Sequence, residues 1–298
     1  MKGCLRLCVA ACAAFIAFVA AHVAEAQEPE NWKSVSLAGH EIRYRDNGKS
    51  EAQALVFIHG WSCDSSFWKF QFPAFADFRI IALDLPGFGK SDKPHDIAYT
   101  LEFFAHAVHA VVEDAGITSP ILIGHSMGYA VSREYLLLYP GRIKAVVNVD
   151  GAYFRIPPTQ EARAGFEKEV SVMLAAHEGQ ERPKAVHEFV ESTFYGKTPE
   201  KLRSEIIKEM SSADPYAATS ALREMLRLDQ WAERSFDVPS LALYATNDYL
   251  PPNQEAYLKT VFPNLVYEEW NDTGHYLMLE RPERFNSVLR RYLETLAR

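Results

Sequence analysis

Ile121-Leu-Ile-Gly-His-Ser-Met-Gly-Tyr-Ala-Val131 joins an apolar run to a helical pattern. Residues 120–123 predict a short buried strand, and residues 130–138 predict a helix. Between them, Gly124-His-Ser-Met-Gly128 matches G-x-S-x-G, the pattern of a nucleophilic serine on a sharp strand-to-helix turn. Glycine two residues before and after the serine removes side chains that would collide in so tight a turn. Ser126 would then stand at a helix N-terminus, where backbone N–H groups favour developing negative charge.

This pattern fixes only three positions, so the remainder of the chain must decide its meaning. The chain has 298 residues, of which 48% are hydrophobic and 23% charged, as in an ordinary globular protein. That length suits a single α/β domain with an insertion. The net charge is -8, which leaves no excess of Lys and Arg to neutralise phosphates. We therefore expect no nucleic-acid partner.

The N-terminus has the pattern of a secretory signal peptide. Lys2 and Arg6 precede an apolar stretch, 7–23, and Ala24-Glu-Ala26 follows as a small-x-small cleavage site. A membrane anchor is one alternative, but the apolar stretch is short against the ~20 residues of a span. A lipoprotein site at Val9-Ala-Ala-Cys12 is another, but the apolar region before it is too short. We expect cleavage after Ala26, export to the periplasm or medium, and no stable span in the mature chain. Cys63 is then the one remaining cysteine, so no internal disulfide is expected.

Apolar strands recur along the rest of the chain and alternate with helical patterns. A hairpin is predicted first, followed by buried strands that lack polar alternation and so suit a sheet covered on both faces. Strands alternating with helices predict a mostly parallel sheet. The predicted hairpin covers residues 34–45, and the strands cover 54–58, 78–83, 120–123, 143–149, 241–246 and 266–270. A helix is predicted over 100–115, with Thr100 as its N-cap and Gly116 as its stop, and residues 275–296 predict mainly a terminal amphipathic helix.

One stretch, residues 152–234, breaks this alternation because it carries helical patterns without a convincing buried strand. We interpret it as a helical lid inserted over the sheet edge where ligands bind. The predicted organisation is a signal peptide over 1–26, a core in two parts over 27–151 and 235–298, and the lid between them. The four lid helices are predicted at 161–177, 184–194, 199–210 and 217–231.

A serine hydroxyl needs a base within hydrogen-bond reach, and the base needs a third group that holds its tautomer. His275 is the candidate base, because it follows the last predicted strand across a loop containing Gly274. Two carboxylates, Asp248 and Asp150, each follow a predicted strand and are candidates for the acid. We favour Asp248, since its strand should lie beside the strand that leads to His275.

An oxyanion hole requires two backbone N–H donors. One should belong to Met127, the residue after the serine, and the other to Trp61 in His59-Gly-Trp61. The Trp61 side chain would be free to line the pocket, with burial in the core as the alternative. Cys63 lies two residues further on but has no comparable turn, so it is not predicted to be a nucleophile.

Other polar residues suggest no second site. His106 and His109 lie three apart on a predicted helix, but no third metal ligand is evident. The acidic loop 84–92 contains glycines and a proline that favour a structural turn over a metal site. Two lid histidines, His177 and His187, are expected to be solvated.

With these motifs in place, the chain resembles the α/β-hydrolases. His59-Gly-Trp61, Asp84-x-Pro-Gly-x-Gly-x-Ser91, the Ser126 pentapeptide and Asp272-x-Gly-His275 match the family pattern over about residues 34–150 and 235–297. The resemblance implies an eight-stranded, mostly parallel sheet with a helical cap. Members with this loop and lid include carboxylesterases, carbon–carbon bond hydrolases, lactonases and cofactor-free haloperoxidases. Haloalkane dehalogenases and epoxide hydrolases place Asp where this chain has Ser126.

These observations predict a serine hydrolase that cleaves small, largely apolar esters through an acyl-enzyme, with neither metal nor organic cofactor. A carbon–carbon bond hydrolase or lactonase would use the same residues, and a non-catalytic ligand-binding protein is the alternative of a different class. Aromatic residues in the lid and loops would line an apolar pocket or, equally, form lid core. They are Phe67, Trp68, Phe154, Phe194, Tyr195 and Trp231.

Overall fold

The computed structural model describes residues 31–153, 155–247 and 250–297. The predicted signal peptide lies outside this part of the chain. Within the part described, no helix is both long and apolar enough to cross a bilayer.

The described residues form one sheet of eight strands, in the order β1-β2-β4-β3-β5-β6-β7-β8. β2 pairs antiparallel with both β1 and β4, and every other pairing is parallel, so seven strands run one way and β2 alone runs against them. The predicted mostly parallel sheet is confirmed. The strands are β1 Trp32–Leu37, β2 His40–Asp46, β3 Ala54–Ile58, β4 Arg79–Leu83, β5 Ile121–His125, β6 Ala145–Val149, β7 Ser240–Ala245 and β8 Leu265–Trp270.

Burial follows the position of each strand in the sheet. β3, β4, β5, β6 and β7 are buried at every residue, as their unbroken apolar sequences predict for strands covered on both faces. β1 and β8 lie at the two edges and are half-exposed. Ser126 and Asp150 follow two of the fully buried strands, β5 and β6, whereas His275 follows the edge strand β8.

Helices cover the sheet. They are α1 Gln71–Ala74, α2 Leu101–Asp114, α3 Met127–Leu138, α4 Gln160–Glu178, α5 Arg182–Ser192, α6 Glu200–Ser212, α7 Pro215–Met225, α8 Gln254–Val261, α9 Leu277–Glu280 and α10 Pro282–Thr295, with 3-10 turns at Ser65–Trp68 and Leu228–Trp231. α2 begins as predicted at Thr100, whose hydroxyl accepts from the Phe103 N–H, and ends before Gly116, which has a φ of 64°.

The C-terminal helix differs from its prediction. The sequence pattern predicted one helix over most of 275–296, whereas α9 and α10 are separate, with a break at Arg281. Pro282 disfavours helical backbone at the residue before it, and Arg281 accordingly has a φ of -136° and a ψ of 56°. The irregular backbone before α9 contains His275.

Helices α4 to α7 all lie between β6 and β7, and the first three agree with their predicted bounds within two residues. The fourth differs, because α7 ends at Met225 and residues 228–231 form a 3-10 turn instead of continuing the predicted helix. We call these four helices and their connections the lid helices. α7 contacts the loop that follows β3, because the Ala218 carbonyl accepts a hydrogen bond of 2.7 Å from the Trp61 indole N–H.

Candidate active site

The predicted site residues follow the carboxyl ends of neighbouring parallel strands. β5 ends at His125 and is followed by Ser126, while β6 ends at Val149 and is followed by Asp150. His125 pairs with Val149 in the register of these two strands. Parallel strands bring their carboxyl ends to one edge, so Ser126 and Asp150 begin at neighbouring positions on it.

Ser126 occupies the strained turn that the sequence predicted. Its φ is 52° and its ψ is -120°, and it directly precedes the first residue of α3. Such backbone costs about 1–3 kcal/mol and persists only where the surroundings impose it. The flanking glycines explain how: a Cβ on Gly124 would lie 2.5 Å from the Gly128 carbonyl oxygen, and one on Gly128 would lie 2.3 Å from the Ile58 carbonyl oxygen.

Backbone hydrogen bonds join this turn to the loop after β6. The Ser126 N–H donates to the Val149 carbonyl at 3.0 Å, and the Ser126 carbonyl accepts from the Ala152 N–H at 3.1 Å. The serine and the residues around Asp150 are thus held by two bonds across adjacent strand ends.

His275 forms a hydrogen bond with Asp150. Its Nδ1 lies 2.5 Å from Asp150 Oδ2, and both side chains are largely buried. The structure thus places Asp150, the alternative acid, beside His275, while Asp248, the carboxylate favoured from sequence, lies outside the described residues. The His275 ring also lies 4.6 Å, between centroids, from the ring of His125, which directly precedes Ser126. The structure therefore brings the imidazole to the strained turn.

A backbone N–H of the neighbouring strand β7 orients the Asp150 carboxylate. Its Oδ1 accepts from the Ala245 N–H at 2.8 Å, which leaves Oδ2 for the histidine, and its own φ is 45°. Asn148 supports this turn, since its side-chain oxygen accepts from the Gly151 N–H at 2.6 Å. The Asn148 amide in turn donates to the Tyr244 hydroxyl at 2.9 Å. Sequence reasoning missed this support, which joins residues of two different strands.

The predicted oxyanion donors lie beside the serine. Met127 is the first residue of α3, where the N–H has no acceptor within the helix. Gly60 packs against the turn so closely that an added Cβ would lie 3.1 Å from Ser126 Cβ, which brings the following residue, Trp61, to the same place. His59 fixes this loop: its Nε2 accepts from the Leu85 N–H at 2.9 Å.

The electrostatic state of His59 follows from its surroundings. Its Nδ1 lies 2.8 Å from the Gly60 carbonyl, so Nδ1 carries the proton and Nε2 is the acceptor. Burial lowers the pKa of His59 and outweighs the opposite effect of the Asp84 carboxylate. The imidazole is neutral and acts as a brace for the loop.

The Trp61 side chain packs against the lid helices. It is buried, and its ring makes edge contacts with His177 at 5.6 Å and Phe189 at 5.7 Å between centroids. The expectation that His177 is solvated is therefore wrong: the residue is 4% exposed, and its Nδ1 bonds to the Met173 carbonyl. The cause is the inward face of α4, which covers the Trp61 loop.

His125 was not singled out from sequence, yet it touches the candidate base. Its Nε2 lies 3.0 Å from the His275 carbonyl and donates to it, so Nδ1 carries the lone pair. Burial and the neighbouring His275 lower the pKa of His125 well below its ordinary value. A neutral imidazole here can hold the His275 backbone without opposing a positive charge on the His275 ring.

Cys63 and the acidic loop 84–92 lie in surroundings that suit a structural role. Burial, with the Asp64 and Glu209 carboxylates nearby, raises the pKa of the Cys63 thiol well above its ordinary value. Asp84 accepts from the N–H groups of Ser65 and Lys90, which closes the 84–92 loop as a turn.

The predicted aromatic and imidazole groups also pack within the fold. His106 and His109 contact the hydroxyls of Tyr139 and Tyr135. Among the aromatic residues proposed for a pocket, the buried ones are Phe67, Trp68 and Trp231. Phe194 and Tyr195 are half-buried, and Phe154 lies outside the described residues.

Comparison with known proteins agrees with this geometry. A family model described as the alpha/beta hydrolase fold matches residues 53–282. Over 278 residues the chain is 26% identical to a 2-hydroxy-6-oxo-6-(2'-aminophenyl)hexa-2,4-dienoic acid hydrolase of Metapseudomonas resinovorans, covering 88% of this chain and 91% of that protein. It is also 24% identical over 288 residues to bifunctional epoxide hydrolase 2 of Sus scrofa, covering 82% of this chain but only 52%, about half, of that longer protein.

Among solved structures, an esterase from Rhodococcus sp. ECU1013 superposes with a TM-score of 0.74 at 26% identity, covering 89% of this chain and 99% of that one. The family match spans most of the chain, and the sheet and strained serine turn agree with it. The chain belongs to the α/β-hydrolase family.

Proposed function

We propose that this protein is a serine hydrolase that cleaves carboxylic esters of small, largely apolar substrates through an acyl-enzyme. Ser126 is the nucleophile, His275 the general base and acid, and Asp150 the carboxylate that holds His275. The observation that carries the proposal is the 2.5 Å contact of His275 Nδ1 with Asp150 Oδ2 beside the strained serine. The likeness to an esterase at 26% identity supports the substrate class.

The reaction follows from these placements. His275 Nε2 takes the proton of the Ser126 hydroxyl as its oxygen attacks the ester carbonyl. The carboxylate of Asp150 stabilises the imidazolium that forms, and the N–H groups of Met127 and Trp61 stabilise the oxyanion. His275 then protonates the leaving alcohol. In the second half it activates a water molecule that releases the acid and restores Ser126.

Epoxide hydrolysis is disfavoured for this chain. The family resemblance implies an Asp nucleophile in that branch, and the corresponding residue here is Ser126. An alkoxide attack on an epoxide would leave a stable ether rather than an ester that water can cleave. The relative named as an epoxide hydrolase is matched over only about half of its length.

The proposal is tested with Ser126→Ala and chromogenic esters of graded acyl length. Because the three residues act as a unit, kcat should fall by about 10⁴–10⁶-fold. A covalent serine probe should label the wild-type protein at Ser126, and heating the protein first should abolish the labelling. Turnover that survives in Ser126→Ala would refute the assignment, and absence of both turnover and labelling in the wild type would favour a ligand-binding protein.

Carbon–carbon bond hydrolysis is the second candidate. It is supported by 26% identity, over 88% of this chain, to a hydrolase named for a hydroxy-oxo-dienoic acid. The same three residues would serve, so substrates must decide. A panel of diketone-like acids, lactones and esters, compared by kcat/KM, separates the two activities.

We also propose that the protein is exported after cleavage following Ala26, on the charge and apolar pattern of residues 1–26. Mass spectrometry of the protein from fractionated cells tests this. A mature chain beginning at Gln27 in the periplasm or medium is expected, and an uncut chain in the cytosol would contradict the proposal.

A further inference from the structure

His275 lies in irregular backbone between β8 and α9, so its backbone N–H and C=O are not paired by the regular hydrogen bonds of a helix or sheet and need other partners. The His275 N–H donates to the Thr193 carbonyl at 2.9 Å, and the His275 carbonyl accepts from His125. The neighbouring N–H groups, of Gly274 and Tyr276, donate to the two carboxylate oxygens of Glu280 at 3.1 and 3.4 Å. Three separate parts of the chain therefore hold the candidate base.

Glu280 is 7% exposed, and among the described residues the groups that donate to its carboxylate are neutral. Besides the two backbone N–H groups, its Oε2 accepts from the Thr198 hydroxyl at 2.5 Å. A buried carboxylate is costly unless its oxygens are satisfied, so these bonds fix one another's geometry. Thr198 belongs to the connection between α5 and α6, and Glu280 thus joins the lid to the loop of His275.

We name residues 193–198 the strap. It contributes both Thr193, which bonds to the His275 N–H, and Thr198, which bonds to Glu280. Arg203 stiffens the strap, because its guanidinium donates to the Tyr195 carbonyl at 2.9 Å and to the Thr198 carbonyl at 3.1 Å.

The strap lies directly on the histidine loop. A Cβ added to Gly274 would lie 2.5 Å from the Tyr195 backbone nitrogen and 2.6 Å from the Thr193 carbonyl oxygen. Both are backbone atoms and cannot swing aside like a flexible side chain. The strap and the loop therefore move together or lose their contacts together.

We propose that Glu280 is a positioning residue for His275 and that it makes the orientation of the imidazole depend on the strap of the lid. Glu280 does not touch the reacting atoms. It fixes the backbone on either side of His275, and the Thr198 hydroxyl fixes Glu280. This inference rests on the proposed role of His275 as the base.

Thr198→Val tests the coupling, because it removes the hydroxyl donor and keeps the side-chain shape. Thr219→Val is the matched control: that residue is also buried in the lid helices, but its hydroxyl bonds to the His177 carbonyl, within the lid. We expect kcat for ester hydrolysis to fall about tenfold in Thr198→Val with KM nearly unchanged, since small misplacement of a catalytic group lowers rate more than binding. Thr219→Val should stay within about twofold of wild type.

A proton NMR measurement gives a readout that needs no substrate. The short bond between His275 and Asp150 should produce an imidazole N–H resonance downfield of the backbone amides, identified by its loss in His275→Ala. Thr198→Val and Glu280→Gln should broaden or shift this resonance, and Thr219→Val should not.

Equal behaviour of Thr198→Val and Thr219→Val in both measurements would overturn the proposal. If the wild type neither turns over esters nor labels at Ser126, the proposed function fails. The NMR comparison then still decides whether Glu280 and the strap position His275.

Discussion

Exchange of Asp150 for asparagine tests which carboxylate holds the base. In Asp150→Asn, the side-chain oxygen can keep the bond to the Ala245 N–H, which is 2.8 Å long in the wild type, so the turn after β6 should survive. The amide nitrogen then replaces the oxygen that lies 2.5 Å from His275 Nδ1. An amide donates where the carboxylate accepted, so His275 must keep its proton on Nε2, where it cannot receive one from Ser126.

The expected loss is large. A wrong tautomer of this kind lowers kcat by about 10⁴-fold in a serine hydrolase, equivalent to about 5 kcal/mol of transition-state stabilisation. Ester hydrolysis should be measured under saturating substrate, with thermal unfolding recorded for each variant. The melting temperature should change little, because the Ala245 bond is kept.

Asp248→Asn is the paired measurement. If Asp150 alone holds the base, this variant should retain kcat within a few-fold of wild type. A fall of 10³-fold or more in Asp248→Asn, with Asp150→Asn nearly as active as wild type, would refute the assignment. The sequence-based preference for Asp248 would then stand.

Three further outcomes follow from the fold. Gly128→Ala should destabilise the protein by about 3 kcal/mol or more in urea unfolding, because the added methyl carbon would lie 2.3 Å from the Ile58 carbonyl oxygen. Burial alone would raise the pKa of Asp46, but hydrogen bonds led by Arg79 outweigh it and hold the pKa at about 2, against 3.8 ordinarily. The ionised Asp46 carboxylate therefore contributes on the order of 1–2 kcal/mol to the free energy of unfolding above about pH 4, and this contribution is lost as the pH falls toward 2. The difference in unfolding free energy between wild type and Asp46→Asn should shrink over that interval. The Cys63 thiol, whose pKa is raised mainly by burial, should react with a thiol reagent about 100-fold more slowly in native than in unfolded protein; equal rates would contradict its buried position.

The sheet and the serine turn could be predicted because their signals are local. Unbroken apolar runs such as 54–58 identify fully buried strands, and the paired glycines around Ser126 are required by contacts that any such turn would make. His275 was accessible for a related reason: it follows the last strand after a short loop. In each case a few adjacent residues carry the information.

The local sequence does not decide between Asp150 and Asp248 as the acid. Both follow a buried strand, and spacing does not state which side chain turns toward the histidine. Asp150 is turned by a bond to Ala245, 95 residues away, and by a positive φ supported by Asn148.

The role of Glu280 could not be predicted either, because it also depends on a contact between residues that are distant in sequence. In sequence it is one acidic residue in a helical stretch, and its role emerges only when Thr198, 82 residues earlier, is placed against it. The break at Arg281 was readable from Pro282, but the helical periodicity around it dominated the prediction.

The strap limits which parts of this chain's insertion could be exchanged for those of another protein. A chimera that replaces the whole insertion would import a foreign backbone over Gly274, where there is no room for a different path. Grafts confined to α4 and the first turns of α5 would leave residues 193–198 and Arg203 in place. The strap therefore has to stay with the loop of His275, and the face of α4 that contacts Trp61 has to be kept as well.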